Sequence, residues 1–500
     1  MQKDFSLAII FMDKMVFQAD KPLKIFGTAE KDLNIKISLL DRDYEFNIKK
    51  GEFCVDLPSL PVIKMGFTVK VSGGNTNYEI KDCLVGDVFI CAGQSNMAFI
   101  VNDCININQV PNNLIRSFEV PKRPYYGLED KPGWEFLNNY QWLIADSDNI
   151  KWFSAIGYLV ASSLQKEKDI PIGILSLNMG DTTVFAWIDE VTLGENKRLK
   201  YILDNYYEEI KKFKTEKEYD DYFNQQLPLL YQFYGLLDEG VRLGLSSEDA
   251  HRRAFEKVPN PYLPMGPKNQ NRPCGLFDTM VKRVIPYQAK AILYYQGEND
   301  KLNYEVYKEA MDTFTLSWRK SFQSELPIII TQIAGYEYVE VDPLAVSYLR
   351  REQAKFLNVE EQKYVITAVD CGERYDIHPH DKNEVARRFV GILNEFVYHT
   401  GSNSLSPMYD SHQLIGDKLV IKVKNNQLPL KCIDKNCCFT VITKTGKVKE
   451  AKIYQLLEQE IVILLEEEIV ELRYAFSNYP ELFIYTENDL PLLPFQIKFQ

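Results

Sequence analysis

From Val85 to about Thr400 the chain alternates short, continuous apolar runs with longer amphipathic ones, and this alternation restricts the fold more than any other feature. Val88–Ala92, Ile172–Leu177, Ile292–Tyr295, Ile328–Ile333 and Val365–Val369 read as strands buried on both faces. Between them, Ile156–Leu164, Val306–Phe322 and Val385–Val397 read as amphipathic helices. In the last, Val385, Phe389, Ile392, Leu393, Phe396 and Val397 form one apolar stripe that should pack on a sheet. Strands alternating with helices predict an α/β domain over residues 85–400, a parallel sheet flanked by helices.

The period changes on either side. Residues 1–84 show short runs at Leu7–Met12, Leu23–Gly27, Leu33–Leu39 and Val69–Val71, broken by turn residues such as Gly73-Gly74-Asn75, and predict an N-terminal β domain. Over residues 401–500 strand patterns return at Leu419–Val423, Cys438–Ile442, Ile461–Leu465 and Leu472–Phe476, with turns such as Lys424-Asn425-Asn426, predicting a C-terminal β domain. Residues 190–264 are rich in Tyr, Lys and Glu without strand signals, which predicts a helical insertion near the site rim. Three domains suit a length of 500 residues.

With 58 Lys and Arg against 70 Asp and Glu the net charge is −12, which opposes binding to nucleic acid or to an anionic membrane surface. No apolar run approaches the roughly 20 residues of a membrane span, and the N-terminus lacks a convincing secretory pattern. Nine Cys, an odd number without C-x-x-C pairs, suggest mostly buried, reduced thiols. Together these lead us to expect a cytoplasmic protein.

Ligands of α/β sheets sit beyond the carboxyl ends of the strands. There, Val88–Ala92 runs into Gly93-Gln94-Ser95-Asn96, where Gly93 permits a tight turn and the Ser95 amide lies beside its own hydroxyl, or where the chain simply turns. Ile172–Leu177 ends at Asn178-Met179-Gly180-Asp181, and Ile292–Tyr295 at Gln296-Gly297-Glu298-Asn299, whose Asn299 offers a neutral N–H donor for a developing oxyanion. Five His leave few candidates for a general base. His378 follows Val365–Val369, and Asp376, two residues earlier, can accept its Nδ1–H so that Nε2 takes a serine proton. His380 shares the loop and is the competing candidate, while His399 reads as a helix C-terminal cap.

On these residues the chain resembles the sialate O-acetylesterase family, a carbohydrate-esterase branch of the SGNH hydrolases. The resemblance rests on Val85-Gly86-Asp87-Val88, Gly93-Gln94-Ser95-Asn96-Met97, Phe153-Ser154-Ala155-Ile156-Gly157-Tyr158 and Ala186-Trp187-Ile188. It continues through Arg272-Pro273-Cys274-Gly275-Leu276-Phe277, Tyr295-Gln296-Gly297-Glu298, Asp376-Ile377-His378-Pro379 with Lys382 and Arg387-Arg388, and the tail around Arg473–Phe476 and Leu490–Phe495. It implies an SGNH-hydrolase-like α/β fold, Ser95 as nucleophile, His378 as base and Asp376 as its orienting acid. It further implies oxyanion or substrate contacts from Gly180 and Asn299, with Gln94, Gln296 and Glu298 beside them.

Two departures stand out. Gly180-Asp181-Thr182-Thr183 replaces the family's usual Gly-Gly-Thr-Pro, and Asp-x-His replaces the superfamily's common Asp-x-x-His, with Tyr375 in the expected acid's slot. The activity implied is removal of O-acetyl groups from a small acetylated sugar or oligosaccharide, most readily a sialic acid, without metal or organic cofactor. Arg374, four residues before His378, is a cation that such an acid could use. An acetyl-xylooligosaccharide esterase and a non-catalytic carbohydrate-binding protein are the alternatives. A metal-dependent N-deacetylase would want a His and Asp ligand cluster, which the five His do not plainly supply.

Overall fold

The computed structural model describes residues 3–338, 342–425, 427–433 and 438–499. Asn426 of the expected turn and Cys437 lie outside them. The chain divides into two compact units.

The first unit comprises Met1–Asn224, Leu263–Tyr294 and Ala310–Ile328. Its N-terminal part is β structure. Strands Phe5–Leu7, Leu23–Ala29 and Gly51–Leu57 form one antiparallel sheet, and Leu33–Leu39 pairs with Arg42–Ile48 and Ile63–Gly73 in another. The apolar run Leu7–Met12 was expected to be a strand, yet only Phe5–Leu7 is. Beyond it the chain turns, and Ile10 and Phe11 are buried as turn residues. Strand Thr76–Gly93 is 18 residues long. Its first half pairs antiparallel with Ile63–Gly73, and its second half pairs in parallel with Ile172–Asn178, Asp87 facing Ile172 and Gly93 facing Asn178. All residues from Cys83 to Gln94 are buried, as the uninterrupted apolar pattern requires of a central strand.

Ile172–Asn178 also pairs in parallel with Asn112–Glu119, to which Trp142–Ala145 adds an antiparallel edge strand. Neither of these two strands was expected from the sequence. Asn112–Glu119 carries Arg116, whose guanidinium reaches the Asp82 carboxylate at 3.1 Å, so the buried charge is paired rather than absent. Helix Ala155–Lys168 is capped by Ser154 and closed by Asp169 in the left-handed conformation.

The second unit comprises Gln225–Tyr262, Tyr295–Glu309 and Ile329–Gln500. It holds strand Lys363–Thr367, helices Ala345–Ala354 and Asn383–Ile392, and the C-terminal β domain. Val385, Phe389, Ile392 and Leu393 are buried, and Phe396 stacks on Tyr364 of the strand with ring centroids 4.7 Å apart, the face its stripe predicts. Seven antiparallel strands build the C-terminal sheet, in the order Met408–Ile415, Lys418–Lys424, Glu460–Leu464, Val448–Leu456, Cys438–Thr443, Ile469–Tyr474 and Phe495–Lys498. Leu419, Ile421, Phe439, Ile463, Leu472 and Phe495 fill its core.

Residues 190–257 form helices Glu190–Glu195, Lys200–Ile210, Glu216–Arg242 and Ser247–Lys257. No helix among the described residues is long and apolar enough to cross a membrane. Among the described side chains no disulfide occurs, and Cys54 and Cys432 are exposed rather than buried.

Candidate active site

Gly93 ends the long strand at a φ of +132°, a conformation that a side chain would strain. The chain then winds at once into the one-turn helix Ser95–Ala98, with the Gln94 carbonyl accepting the amides of Met97 and Ala98 at 3.0 and 2.9 Å. Gln94, Asn96 and Met97 are buried and hold the turn in place, while Ser95 is half-exposed. Ser154 braces the turn from outside. Its hydroxyl donates to the Met97 carbonyl at 2.7 Å and accepts the Gly157 amide at 3.2 Å.

The neighbouring strand brings Gly180 against the serine. The Met179 amide donates to the Gly93 carbonyl at 3.0 Å, continuing the parallel pairing past the end of both strands. A Cβ placed on Gly180 would lie 3.4 Å from Ser95 Cβ and 3.9 Å from its nitrogen. Gly180 thus stands at van der Waals distance from the place where the Ser95 side chain leaves its main chain. The next residue, Asp181, is exposed and left-handed at φ +55°. Its carbonyl accepts Gln270 Nε2 at 3.1 Å and Asn271 Nδ2 at 2.9 Å, and Asn271 Oδ1 accepts the Thr183 amide at 2.8 Å. Thr182 donates to the Met179 carbonyl at 2.8 Å and accepts Trp187 Nε1 at 3.1 Å. The sequence reading missed Gln270 and Asn271. About ninety residues separate them from this loop, and only their place just before the Arg272–Phe277 block could have drawn notice.

In the second unit, Gly297 has a φ of +153°, and a Cβ there would come within 2.6 Å of Gln353 Nε2 and 2.9 Å of Ile333 Cγ2. That crowding is what glycine is for at this turn. Gln296 is buried, donating Nε2 to Asp300 at 2.5 Å, while Tyr307 reaches its carbonyl and Oε1 at 3.2 Å. Gln353 Nε2 also donates to the Gln296 carbonyl at 3.1 Å, and its Oε1 accepts the Ile333 amide at 3.1 Å. Gln296 therefore anchors this loop from inside. Glu298 is buried beside it, and Asn299 is half-exposed.

The loop after strand Lys363–Thr367 carries the histidines. Asp370 is clamped by Arg388, with Oδ1–Nη1 and Oδ2–Nη2 at 2.6 and 2.7 Å, and that pairing holds its carboxyl below the usual range despite burial. The Asp376 carboxylate accepts the His378 main-chain amide at 2.8 Å, whereas its distance to His378 Nδ1 is 3.9 Å, beyond a hydrogen bond. Asp376 thus shapes the loop that carries the ring. Burial pulls the His378 pKa below its ordinary value; nearby Lys382 and His380 push the same way, and Asp376 opposes them. His380 faces Glu373 instead, with Nδ1 3.2 Å from Oε1 and its amide on the same oxygen at 2.6 Å. Glu373, Asp376 and His380 present ligand atoms within 4.8 Å of one another, a set that could hold a divalent cation and that spacing in the sequence did not suggest. Arg374 is exposed and pairs with Glu337 at 3.2 Å.

Residues 268–389 match a family model described as carbohydrate esterase, sialic acid-specific acetylesterase. The match is confined to this segment. It includes Gln296, Glu298, Asn299, Asp376 and His378, whereas Ser95 and Gly180 precede it. Sialate O-acetylesterase from Rattus norvegicus is 24% identical over 348 residues, 63% of this chain and 57% of the rat protein. The Mus musculus enzyme is 22% identical over 480 residues, 84% of this chain and 79% of its own. In fold, a carbohydrate acetylesterase from Xanthomonas citri superposes with a TM-score of 0.76 at 19% identity, covering 99% of this chain and 100% of that one.

Proposed function

We propose that this chain is a serine esterase of SGNH-hydrolase type that removes O-acetyl groups from carbohydrates, O-acetylated sialic acids foremost. Ser95 Oγ attacks the acetyl carbonyl while His378 Nε2 takes its proton; His378 then protonates the departing sugar oxygen, leaving acetyl-Ser95. Water repeats the sequence on the acetyl-enzyme, giving its proton to His378 and releasing acetate as Oγ is reprotonated. The amides of Ser95 and Gly180 and the side chain of Asn299 are assigned to the oxyanion.

The observation that carries this reading is the bare backbone of Gly180 lying 3.4 Å, measured from its would-be Cβ, against Ser95 at the end of a buried strand. A turn built only to reverse the chain has no need of a second strand's glycine beside its one half-exposed serine. The lowered pKa of His378 supports the role of base, since the ring stays neutral to below its ordinary titration range. Ser95→Ala should cut hydrolysis of 4-nitrophenyl acetate about 10³-fold or more with the fold intact. Ser95→Ala combined with His378→Ala should be no worse than either alone, because the two act as one unit. Additive losses, or a folded Ser95→Ala protein with activity retained, would reject the mechanism.

A further inference from the structure

Arg350, on helix Ala345–Ala354, is entirely buried. Its hydrogen bonds all go to main-chain carbonyls: Nε to Ile333 at 3.0 Å, Nη2 to Ala334 at 2.6 Å and Asn478 at 3.0 Å, and Nη1 to Ser477 at 2.8 Å. Burial lowers its pKa to about 10, so it stays charged at neutral pH. An apolar side chain of similar volume would fill the space without that desolvation, so the guanidinium is there for what its fork holds together.

The fork grips two stretches of chain. One is held at Ile333 and Ala334 and runs on to Tyr338; the other is Ser477–Asn478, a loop of the C-terminal β domain. The grip continues beyond the guanidinium, since the Tyr336 amide donates to the Asn478 carbonyl at 3.2 Å and Asn478 Nδ2 donates to the Tyr338 carbonyl at 3.2 Å. The same stretch then holds the histidine loop. The Gly335 amide donates to the Val369 carbonyl at 3.1 Å, and the Glu337 amide to the Arg374 carbonyl at 2.9 Å. Gly372 packs so closely that a Cβ on it would lie 1.9 Å from the Gly335 oxygen. Glu337 pairs with Arg374, whose guanidinium lies 5.7 Å from the Tyr479 ring centroid.

We propose that Arg350 is a positioning residue through which the C-terminal β domain fixes the loop Gly372–His380 and hence the ring of His378. This rests on the esterase reading only for its kinetic consequence. The groups facing His378 are Asp376, His380 and Lys382, and Arg350 acts on their arrangement, through the backbone.

The test uses Arg350→Met and Arg350→Lys in the full chain, with the His378 ring followed by NMR at fixed pH and assigned by His378→Gln. In Arg350→Met the loop should loosen, so that the His378 ring signal broadens or splits and amide hydrogen exchange over residues 372–380 speeds up. On 4-nitrophenyl acetate, kcat should fall about ten-fold or more with KM nearly unchanged, and Arg350→Lys should recover part of both. Should Arg350→Met fail to fold, Asn478→Ala decides, with shifts in the same direction but smaller. Folded variants that lose thermal stability while keeping the wild-type His378 ring signal, loop exchange and kcat would overturn the proposal, leaving Arg350 a brace only. A wild-type chain that does not hydrolyse the ester would refute the esterase reading alone, because the ring signal and loop exchange still judge Arg350.

Discussion

Asp181 puts a negative charge next to the glycine assigned to the oxyanion, and removing that charge should accelerate the reaction. Gly180 meets Ser95 at 3.4 Å from its would-be Cβ, and consecutive Cα atoms are about 3.8 Å apart, so the Asp181 carboxylate stands roughly 7 Å from an oxyanion bound there. The side chain is exposed, so an effective dielectric of about 40 to 80 applies, giving a repulsion of about 0.6–1.2 kcal/mol in the transition state. Asp181→Asn should therefore raise kcat for the neutral substrate 4-nitrophenyl acetate about three- to eight-fold, with little change in KM. Stability should hold within about 0.5 kcal/mol, because Asn tolerates the left-handed backbone at φ +55°, Gln270 and Asn271 brace the Asp181 carbonyl, and an amide oxygen can still accept the long Gln270 contact that Oδ2 accepts at 3.5 Å. The advantage should shrink in 1 M salt, where the screening length falls to about 3 Å. An Asp181→Asn enzyme that folds normally and shows unchanged or lower kcat at low salt would refute the placement of the oxyanion beside Gly180.

Three further outcomes are expected. The acid limb of kcat/KM should lie below the ordinary histidine value of about 6.5, since burial lowers the His378 pKa; His378→Ala should be nearly inactive and His380→Ala should not, and the reverse ranking would identify the other histidine as the base. Asp376→Asn should move that limb to still lower pH, because the Asp376 charge raises the His378 pKa, and should slow kcat only modestly; Asp370→Asn should instead destabilise the fold by about 1.5–3 kcal/mol in denaturant titration, as it takes the two-pronged carboxylate from the buried Arg388 and leaves it Glu384 at 3.0 Å. O-acetylated sialic acid should be preferred in kcat/KM over acetylated xylooligosaccharides at matched salt, and the opposite preference would overturn the sialate assignment while leaving the esterase chemistry.

What the sequence revealed, and what it hid, follows from the range of the interactions. Ile172–Asn178 and the second half of Thr76–Gly93 are buried on both faces, and an uninterrupted apolar run is the direct imprint of that environment. The motifs around Ser95, Gln296 and His378 carried the family resemblance for the same reason: each is local. Strand Asn112–Glu119 stayed hidden because its buried Arg116 is neutralised by Asp82, 34 residues earlier, and no local pattern announces that partner. Arg350, Gln353, Gln270 and Asn271 act on carbonyls between 16 and 128 residues away and so look like ordinary helix or loop residues in one dimension. Asp376 was legible as an acid beside His378, but whether it would reach the ring or the amide depended on the loop's path.

The strand Thr76–Gly93 acts as a ruler. Its upstream end is gauged against Ile63–Gly73 by pairs such as Val69 with Ile80 and Gly73 with Thr76, and its downstream end delivers Ser95. An extended chain advances about 3.3 Å per residue and reverses its faces with each step. A one-residue slip at the hairpin, nearly twenty positions from the serine, would thus displace Ser95 by about the width of a reacting contact and turn its neighbours inside out. The ladder carries two irregularities: four steps from Ile63 to Phe67 face two from Val85 to Cys83, and two from Phe67 to Val69 face three from Cys83 to Ile80, where Asp82 takes a φ of +54°. One extra residue thus falls within the ruler itself, at Lys81–Asp82, and the final gauge of the nucleophile is the regular parallel pairing downstream, from Asp87 against Ile172 to Gly93 against Asn178.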